Sequence, residues 1–322
     1  MRYAVSFTPK QASLKQTVIR TSLILLLLLL SAKLFSQSKH SFHKLIKQTN
    51  HFLAAYAQLS TGNDLIPKSS LGLSKREIVR MKKSFDTETN DKNLKESVSS
   101  TLAIEYVQRT IIGLMMHVFS HPEFPKNDIQ KLIRGKDCSI IKSDDNKLFN
   151  FTLDEKTGGT YRSSLSLMHF TDIENLYSAG FEAFQSFFDT DGYDSIYTLQ
   201  TGEGIKYLLK SSVRGCSNCF RNSVELIKFS DNAFTREFEF ANESRDWNDG
   251  IYYDPPSKTI HVNYHLDDLS PVCSCETDSR EEDNSKTEEG EETVGEKKFG
   301  KGCYCRFVFN GKTFKLAEKI MK

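Results

Sequence analysis

The chain has 322 residues, of which 26% are charged, and its formal net charge at neutral pH is +1. No basic stripe with interleaved aromatic residues occurs, which argues against nucleic acid as a partner. Residues 1–36 hold five basic residues and no acid, so their removal would leave a net charge of −4. The remaining length allows one large domain or two modest ones with a sizeable core.

The N-terminus has the pattern of an export leader. A basic stretch precedes an apolar core at residues 22–32, and Lys33 ends that core. A membrane-spanning helix needs roughly 17–25 apolar residues, so the core is shorter than a span. The pattern predicts a signal peptide over residues 1–36 and a secreted, periplasmic or cell-envelope protein without a membrane span after cleavage. The alternative is a retained single-pass signal anchor, in which Lys33 extends to the membrane interface.

Residues 37–130 are predicted to form a helical region. Apolar residues recur at helical spacing over residues 42–59 and again over residues 94–119. Between these segments, Ser74 and Glu77 have the spacing of a capping box, which predicts that a further helix begins there.

The apolar period shortens to about two residues near Cys138, which predicts β-structure over residues 138–322. Five hairpins are predicted, with turns at residues 144–147, 201–204, 230–233, 254–258 and 310–311. The Asn-Gly pair of the last turn is the strongest of these signals. Residues 172–188 fit a short helix. The predicted fold class is α+β, with the helical region followed by an antiparallel β-rich domain built as a sandwich, a barrel or a propeller-like array.

One segment of the β-rich part is strongly acidic. Residues 276–296 hold ten acids against Arg280 and Lys286, a net charge of −8. Because the segment has almost no apolar side chain, we expect a disordered loop over residues 276–300. Calcium buffering or docking to a basic partner is the alternative to plain solvation.

Six of the seven cysteines occur as three close pairs, which are Cys216 and Cys219, Cys273 and Cys275, and Cys303 and Cys305. In an oxidising compartment such pairs predict disulfide bonds. The two Cys-x-Cys segments could lie antiparallel with their sulfurs facing each other, or either could bridge to the first pair. A four-thiolate zinc site is the rival hypothesis, although zinc ligands usually have wider spacing. The first pair has the spacing of a redox motif, but no βαβ pattern surrounds it, which favours a structural role.

A short acidic turn contains Asp189, Asp191 and Asp194, with Gly192 among them. Alternating carboxylates and a glycine are typical of calcium loops, but this turn lacks the distant glutamate of an EF-hand. The turn is predicted either to bind calcium or to open a strand as an ordinary Asp/Gly turn.

His261 and His265 lie on one face of a predicted strand. At about 3.3 Å per residue they are about 13 Å apart along the strand, so they cannot share a metal ion. Either histidine could build a hydrolase site with Asp246, Asp249 or Asp254. A polar outer strand face explains the same residues without chemistry.

Three segments, at residues 145–160, 191–199 and 307–314, carry a resemblance that extends over roughly residues 138–316. In their turn and strand residues they resemble a loose group of secreted bacterial β-rich proteins. The paired cysteines and the acidic segment depart from the pattern of that group. The resemblance implies a secreted β-rich protein, and it implies no catalytic or binding residue.

Taken together, these patterns predict an exported, non-enzymatic binding or envelope-associated module that is braced by disulfides and binds a protein or a glycan. An envelope hydrolase that uses the strand face of His261 and His265 is the first alternative. A zinc- or calcium-binding protein is the second, with the cysteine pairs or the acidic turn as ligands.

Overall fold

The computed structural model describes residues 41–62, 65–84, 97–157, 163–172, 191–214, 220–231, 233–244, 250–265 and 302–321. The fold is α+β, as predicted: a helical region precedes antiparallel strands. The leader, the acidic loop and nearly all of the predicted helix at 172–188 lie outside these residues. Within them, no helix is both long and apolar enough to cross a membrane.

The helical region contains α1 (residues 41–56), α2 (Lys75–Ser84), α3 (Ser100–Phe119) and α4 (Ile129–Leu132). The predicted capping box is confirmed, because the backbone N–H of Ser74 donates to Glu77 at 2.6 Å and that of Glu77 donates to Ser74 at 3.3 Å. The ribbon formed by β1 (Leu65–Pro67) and β2 (Ser97–Ser99) was not predicted. Its pairing explains why α3 begins at residue 100 rather than at 94.

Three larger sheets follow in chain order, and all five predicted hairpins are confirmed. The first sheet contains β3 (Cys138–Lys142), β4 (Leu148–Asp154) and β5 (Ser164–Phe170). The second contains β6 (Ser195–Thr201), β7 (Gly204–Arg214), β8 (Phe220–Ser230) and β9 (Ala233–Ser244). The third contains β10 (Gly250–Asp254), β11 (Thr259–His265), β12 (Gly302–Phe309) and β13 (Phe314–Met321).

The helices cover one face of the first sheet. Phe149 and Phe151 of β4 and Leu167 of β5 belong to the same hydrophobic cluster as Val107 and Ile111 of α3. Alternation along β4 directs these side chains to the helices and the intervening ones to the opposite face. The helical region and the first sheet therefore share one core.

The second sheet is buried on both faces. Tyr207, Leu208 and Leu209 are consecutive in β7, and each is at most 2% exposed. Tyr207 and Leu209 pack in a cluster with Phe170 of the first sheet, whereas Leu208 packs in a cluster with Val262 of the third sheet. The layers therefore stack in chain order: helices, first sheet, second sheet, third sheet.

A buried lysine joins the second sheet to the third. The Lys206 side chain is fully buried, and its ammonium group donates to the backbone carbonyl of Lys312 at 2.8 Å. The same group pairs with Glu237 at 2.6 Å and with Glu203 at 3.2 Å. Because a buried ammonium group is costly without acceptors, these contacts fix the β12–β13 turn against β7.

Gly192 lies where the chain approaches the first sheet. Its φ is +85°, and a Cβ atom there would lie 2.3 Å from Thr152 Cγ2. Next to it, the backbone N–H of Tyr193 donates to the side chain of Asn150 at 3.0 Å, and Asn150 donates to Ser166 at 2.8 Å. Both the backbone angle and the close approach require glycine at this position.

We expect Gly192→Ala to lower the free energy of unfolding by about 2–4 kcal/mol, because it combines a left-handed residue with a steric clash. Gly202→Ala is the matched control, since a Cβ atom there meets nothing within 4 Å. The measurement is the urea midpoint of each variant. Equal urea midpoints for the two variants would contradict the close contact between residue 192 and Thr152 of β4.

His169 is buried between the first sheet and the helices. Its ring stacks on Phe119 at 5.0 Å and meets Phe124 edge-on at 5.2 Å. The side chain is 6% exposed, and its Nδ1 has no hydrogen-bond partner in the described structure. Burial lowers the pKa of His169 to about 4, since the imidazolium form cannot be hydrated there.

The protein should therefore lose stability in mild acid. The pKa of His169 in the unfolded chain is about 6.5. Between that pH and about 4, the unfolded state therefore binds a proton at His169 and the folded state does not. The free energy of unfolding should fall by up to roughly 3 kcal/mol as the pH drops from about 6.5 to about 4. Denaturation at several pH values should show that His169→Phe removes this part of the slope. His117→Gln, at an exposed position of α3, is the comparison variant. An unaltered slope in His169→Phe would contradict the assignment.

Candidate functional site

The outer face of the third sheet carries the most exposed large aromatic side chain in the described residues. Alternation along β10 directs Ile251 and Tyr253 into the core and leaves Tyr252 62% exposed on the opposite face. On β12, Cys303 and Cys305 are buried while Tyr304 and Arg306 lie on the outer face. We call this outer surface the tyrosine face and define it by Tyr252, His261, Tyr304, Arg306, Glu318 and Ile320.

Strand register brings these six residues together. Tyr252, His261, Arg306 and Glu318 form one row across all four strands, and Tyr304 pairs with Ile320 in the next row. The ring of His261 lies 6.0 Å from that of Tyr252 and 6.1 Å from that of Tyr304. The result is a continuous aromatic strip across β10, β11 and β12.

Two polar contacts hold the strip in place. His261 Nδ1 and the Tyr304 hydroxyl share a hydrogen bond of 2.7 Å, whose direction depends on the histidine tautomer. Arg306 Nε donates to Glu318 at 2.8 Å. Because cross-strand neighbours hold these side chains, little side-chain entropy would be lost when a partner covers them.

The hydrolase hypothesis is not supported by the contacts of His261. Its ring contacts Tyr252 and Tyr304, and these contacts bring no serine, threonine or cysteine into position for activation. The backbone of His265 pairs with Gly302. Among the described residues, His261 therefore lies in a polar strip on the outer face of the third sheet.

Asp254 is the one aspartate of that hypothesis within the described residues, and its side-chain hydrogen bond is not with His261. Asp254 lies two positions after Tyr252 on β10 and accepts a hydrogen bond from Ser257 at the turn. Asp246 and Asp249 lie outside the described residues. The hydrolase hypothesis therefore stays a prediction.

A groove of about 420 Å³ lies between α3 and β5, on the far side of the second sheet from the tyrosine face. Its charged residues, Glu105 and Arg109, pair with each other at 2.5 Å. Its other lining residues are Gln108, Ile112, Gly113, Met116, Leu165 and Ser166. Such a lining offers apolar contact and an ion pair, and its Ser166 accepts a hydrogen bond from Asn150 at 2.8 Å.

The predicted calcium turn has structural contacts in the part that is described. The backbone N–H of Ser164 donates to Asp191 at 3.4 Å, and Asp194 lies 3.8 Å from the ammonium group of Lys210. Burial raises the pKa of Asp194 above its ordinary value. Asp189 lies outside the described residues, and the described ranges contain no group of three or more potential ligands. Calcium binding at this turn stays a prediction.

Only one cysteine pair falls within the described structure. Cys303 and Cys305 are 2% and 0% exposed and face the core between the second and third sheets. Cys216, Cys219, Cys273 and Cys275 lie outside the described residues, so the disulfide and zinc hypotheses stay predictions.

Both edges of β12 are paired with described strands, which limits how a second Cys-x-Cys segment can approach it. Cys303 already pairs in the ladder with Tyr264 on one side and Met321 on the other, so β12 has a neighbouring strand at both edges. Any bridge to Cys303 or Cys305 must therefore reach the sulfur from the core-facing side of the sheet.

Thiol counting separates the two hypotheses. Cys138 is the free cysteine of the described residues, and burial raises its pKa to about 11. Without reductant, we expect Cys138 to be the one thiol that a thiol reagent modifies in unfolded protein, and we expect slow reaction in native protein because the thiolate is disfavoured. All seven cysteines should react after reduction. Seven reactive thiols without reductant, accompanied by zinc release, would contradict disulfide bracing.

The sequence hypotheses named His261 but missed its neighbours on the tyrosine face. The alternation of residues 303–307 could have predicted two of these neighbours. Cys303, Cys305 and Phe307 are buried, so Tyr304 and Arg306 lie on the outer face of the strand. The row that joins them to Tyr252 depends on strand register, which local alternation does not specify.

No family model matches the chain, and neither does any curated protein or solved structure in the comparisons. The functional argument therefore rests on the geometry of the chain itself.

Proposed function

We propose that the chain is an exported, non-enzymatic binding module and that a partner protein docks on the tyrosine face. The observation that carries this proposal is the exposed Tyr252, which continues through His261 to Tyr304 as one aromatic strip. Tyrosine and arginine are the residue types that most often dominate binding energy at protein interfaces. A tyrosine also offers a large contact area with few rotatable bonds.

The apolar and charged residues of the face favour a protein over a glycan. Ile320 is 41% exposed beside Tyr304, which gives the strip an aliphatic border. The ion pair of Arg306 and Glu318 offers both a donor and an acceptor to the polar rim of a partner. The four strands span about 14 Å at their usual spacing, so the face supplies the centre of an interface and surrounding residues supply its border.

Export is supported by the leader pattern and by the cysteine pairs. A short apolar core behind a basic stretch is typical of secretory signals, and close cysteine pairs are typical of oxidising compartments. A secreted or envelope location explains both features, whether the leader is cleaved or retained as an anchor. Disulfides to Cys303 and Cys305 would brace the strand that carries Tyr304 and Arg306.

A photo-crosslinking residue at position 252, in the full chain expressed in its native cells, tests the proposal. We expect one discrete protein adduct, because the probe would lie at the centre of the interface. Unlabelled wild-type chain should compete for the adduct. The unlabelled variant Tyr252→Ser/Ile320→Asp should compete at least about tenfold less well while unfolding at a similar urea concentration, since both side chains are exposed.

The same photoreactive residue at Val79 is the matched control, because Val79 is 53% exposed but lies on α2. The same adduct from both positions, or equal competition by both unlabelled chains, would refute docking on the tyrosine face. A glycan adduct would refute the partner class. A hydrolytic activity of the purified chain that His261→Ala abolishes would support the hydrolase alternative instead.

A further inference from the structure

Charge is distributed unevenly between the helical and β-rich parts of the chain. Residues 41–137 carry fifteen basic and ten acidic residues, a net charge of +5, whereas residues 138–322 carry a net charge of −10. Residues 276–296 account for −8 of the second value, so the described residues differ mainly in the excess of basic groups on the helical part, which an anionic surface attracts.

The positive charge is concentrated on α2. Arg76, Arg80 and Lys83 are exposed and recur at helical spacing, with Val79 exposed on the same side. The single acid of this helix, Glu77, binds back to Ser74 as the capping residue and also contacts α1. The exposed side of α2 therefore presents basic groups around one apolar side chain.

The neighbouring surface of α1 extends this charge. Lys44, Lys47 and His51 are exposed and recur at helical spacing, and His51 lies 3.4 Å from Glu77 of α2. None of the five basic residues Lys44, Lys47, Arg76, Arg80 and Lys83 forms an ion pair with another residue that the structure describes. We call the surface formed by these five residues and Val79 the basic helical face.

We infer that the basic helical face docks on an anionic phospholipid surface. Lysine and arginine near such a surface are attracted to its headgroups, and an apolar side chain among them can enter the headgroup boundary. In a chain that retains its leader, the order of the sequence supports this occupant, because α1 begins only nine residues after the apolar core at residues 22–32.

This orientation would place the third sheet away from the membrane. The tyrosine face lies on the third sheet, the layer farthest from the helices in the stack. Docking through the helices would therefore leave that face open to the surroundings. The inference itself does not use the tyrosine face, so either proposal can fail without the other.

Co-sedimentation with vesicles tests the inference, with all variants prepared in the same N-terminal form as the native protein. The probes are vesicles of phosphatidylcholine alone and vesicles of phosphatidylcholine and phosphatidylglycerol in equal parts. We expect tighter binding to the anionic vesicles, weakened by added salt. Arg80→Gln/Lys83→Gln should weaken that binding by about tenfold or more, because each basic residue contributes attraction.

Lys258→Gln/Lys315→Gln, which removes the same charge from exposed positions of the third sheet, is the matched control and should bind like wild type. Lys44→Gln/Lys47→Gln provides a second test on α1 if the α2 variant unfolds. Equal binding to both vesicle types, or equal loss in the control and α2 variants, would overturn the inference. Salt-sensitive self-association without vesicle binding would also overturn it and would point to the acidic segment of a second copy as the occupant.

Discussion

The second sheet can fold only if both of its faces are covered. Its central strand β7 places Tyr207 and Leu209 on one face and Leu208 on the other, and all three are almost completely buried. An antiparallel sheet usually has one face in contact with water. Because β7 has apolar side chains on both faces, this sheet is stable only with a packed layer on each side. The first and third sheets meet that demand, and the rest of the fold is arranged around this constraint.

The layers stack in the order in which their strands occur in the chain. Each described sheet is a meander whose neighbours in sequence are neighbours in space, as is usual for such folds. Polar contacts then fix the layers against one another. Asn150 and Gly192 hold the entry to the second sheet against β4, and Lys206 holds the β12–β13 turn against β7.

The two proposed surfaces lie at the ends of this stack because the ends are where an outer face remains. On the third sheet the inner residues complete the core and the outer residues form the aromatic strip, so stability and recognition use alternate positions of the same strands. On the helical layer, the apolar side of each helix packs inward, which leaves the basic residues of α1 and α2 outside.

The sequence by itself determined the α+β class, the capping box at Ser74 and Glu77, and the five hairpins, because helix caps, tight turns and apolar periods act within a few residues. Local pattern did not reveal the ribbon of β1 and β2, since its two short strands lie about thirty residues apart. Only the tertiary structure decided that the sheets stack in layers and that Tyr252, His261 and Tyr304 form one strip. The physical reason is that register and layer packing depend on contacts between distant segments, whose free energy is set by the burial of whole faces.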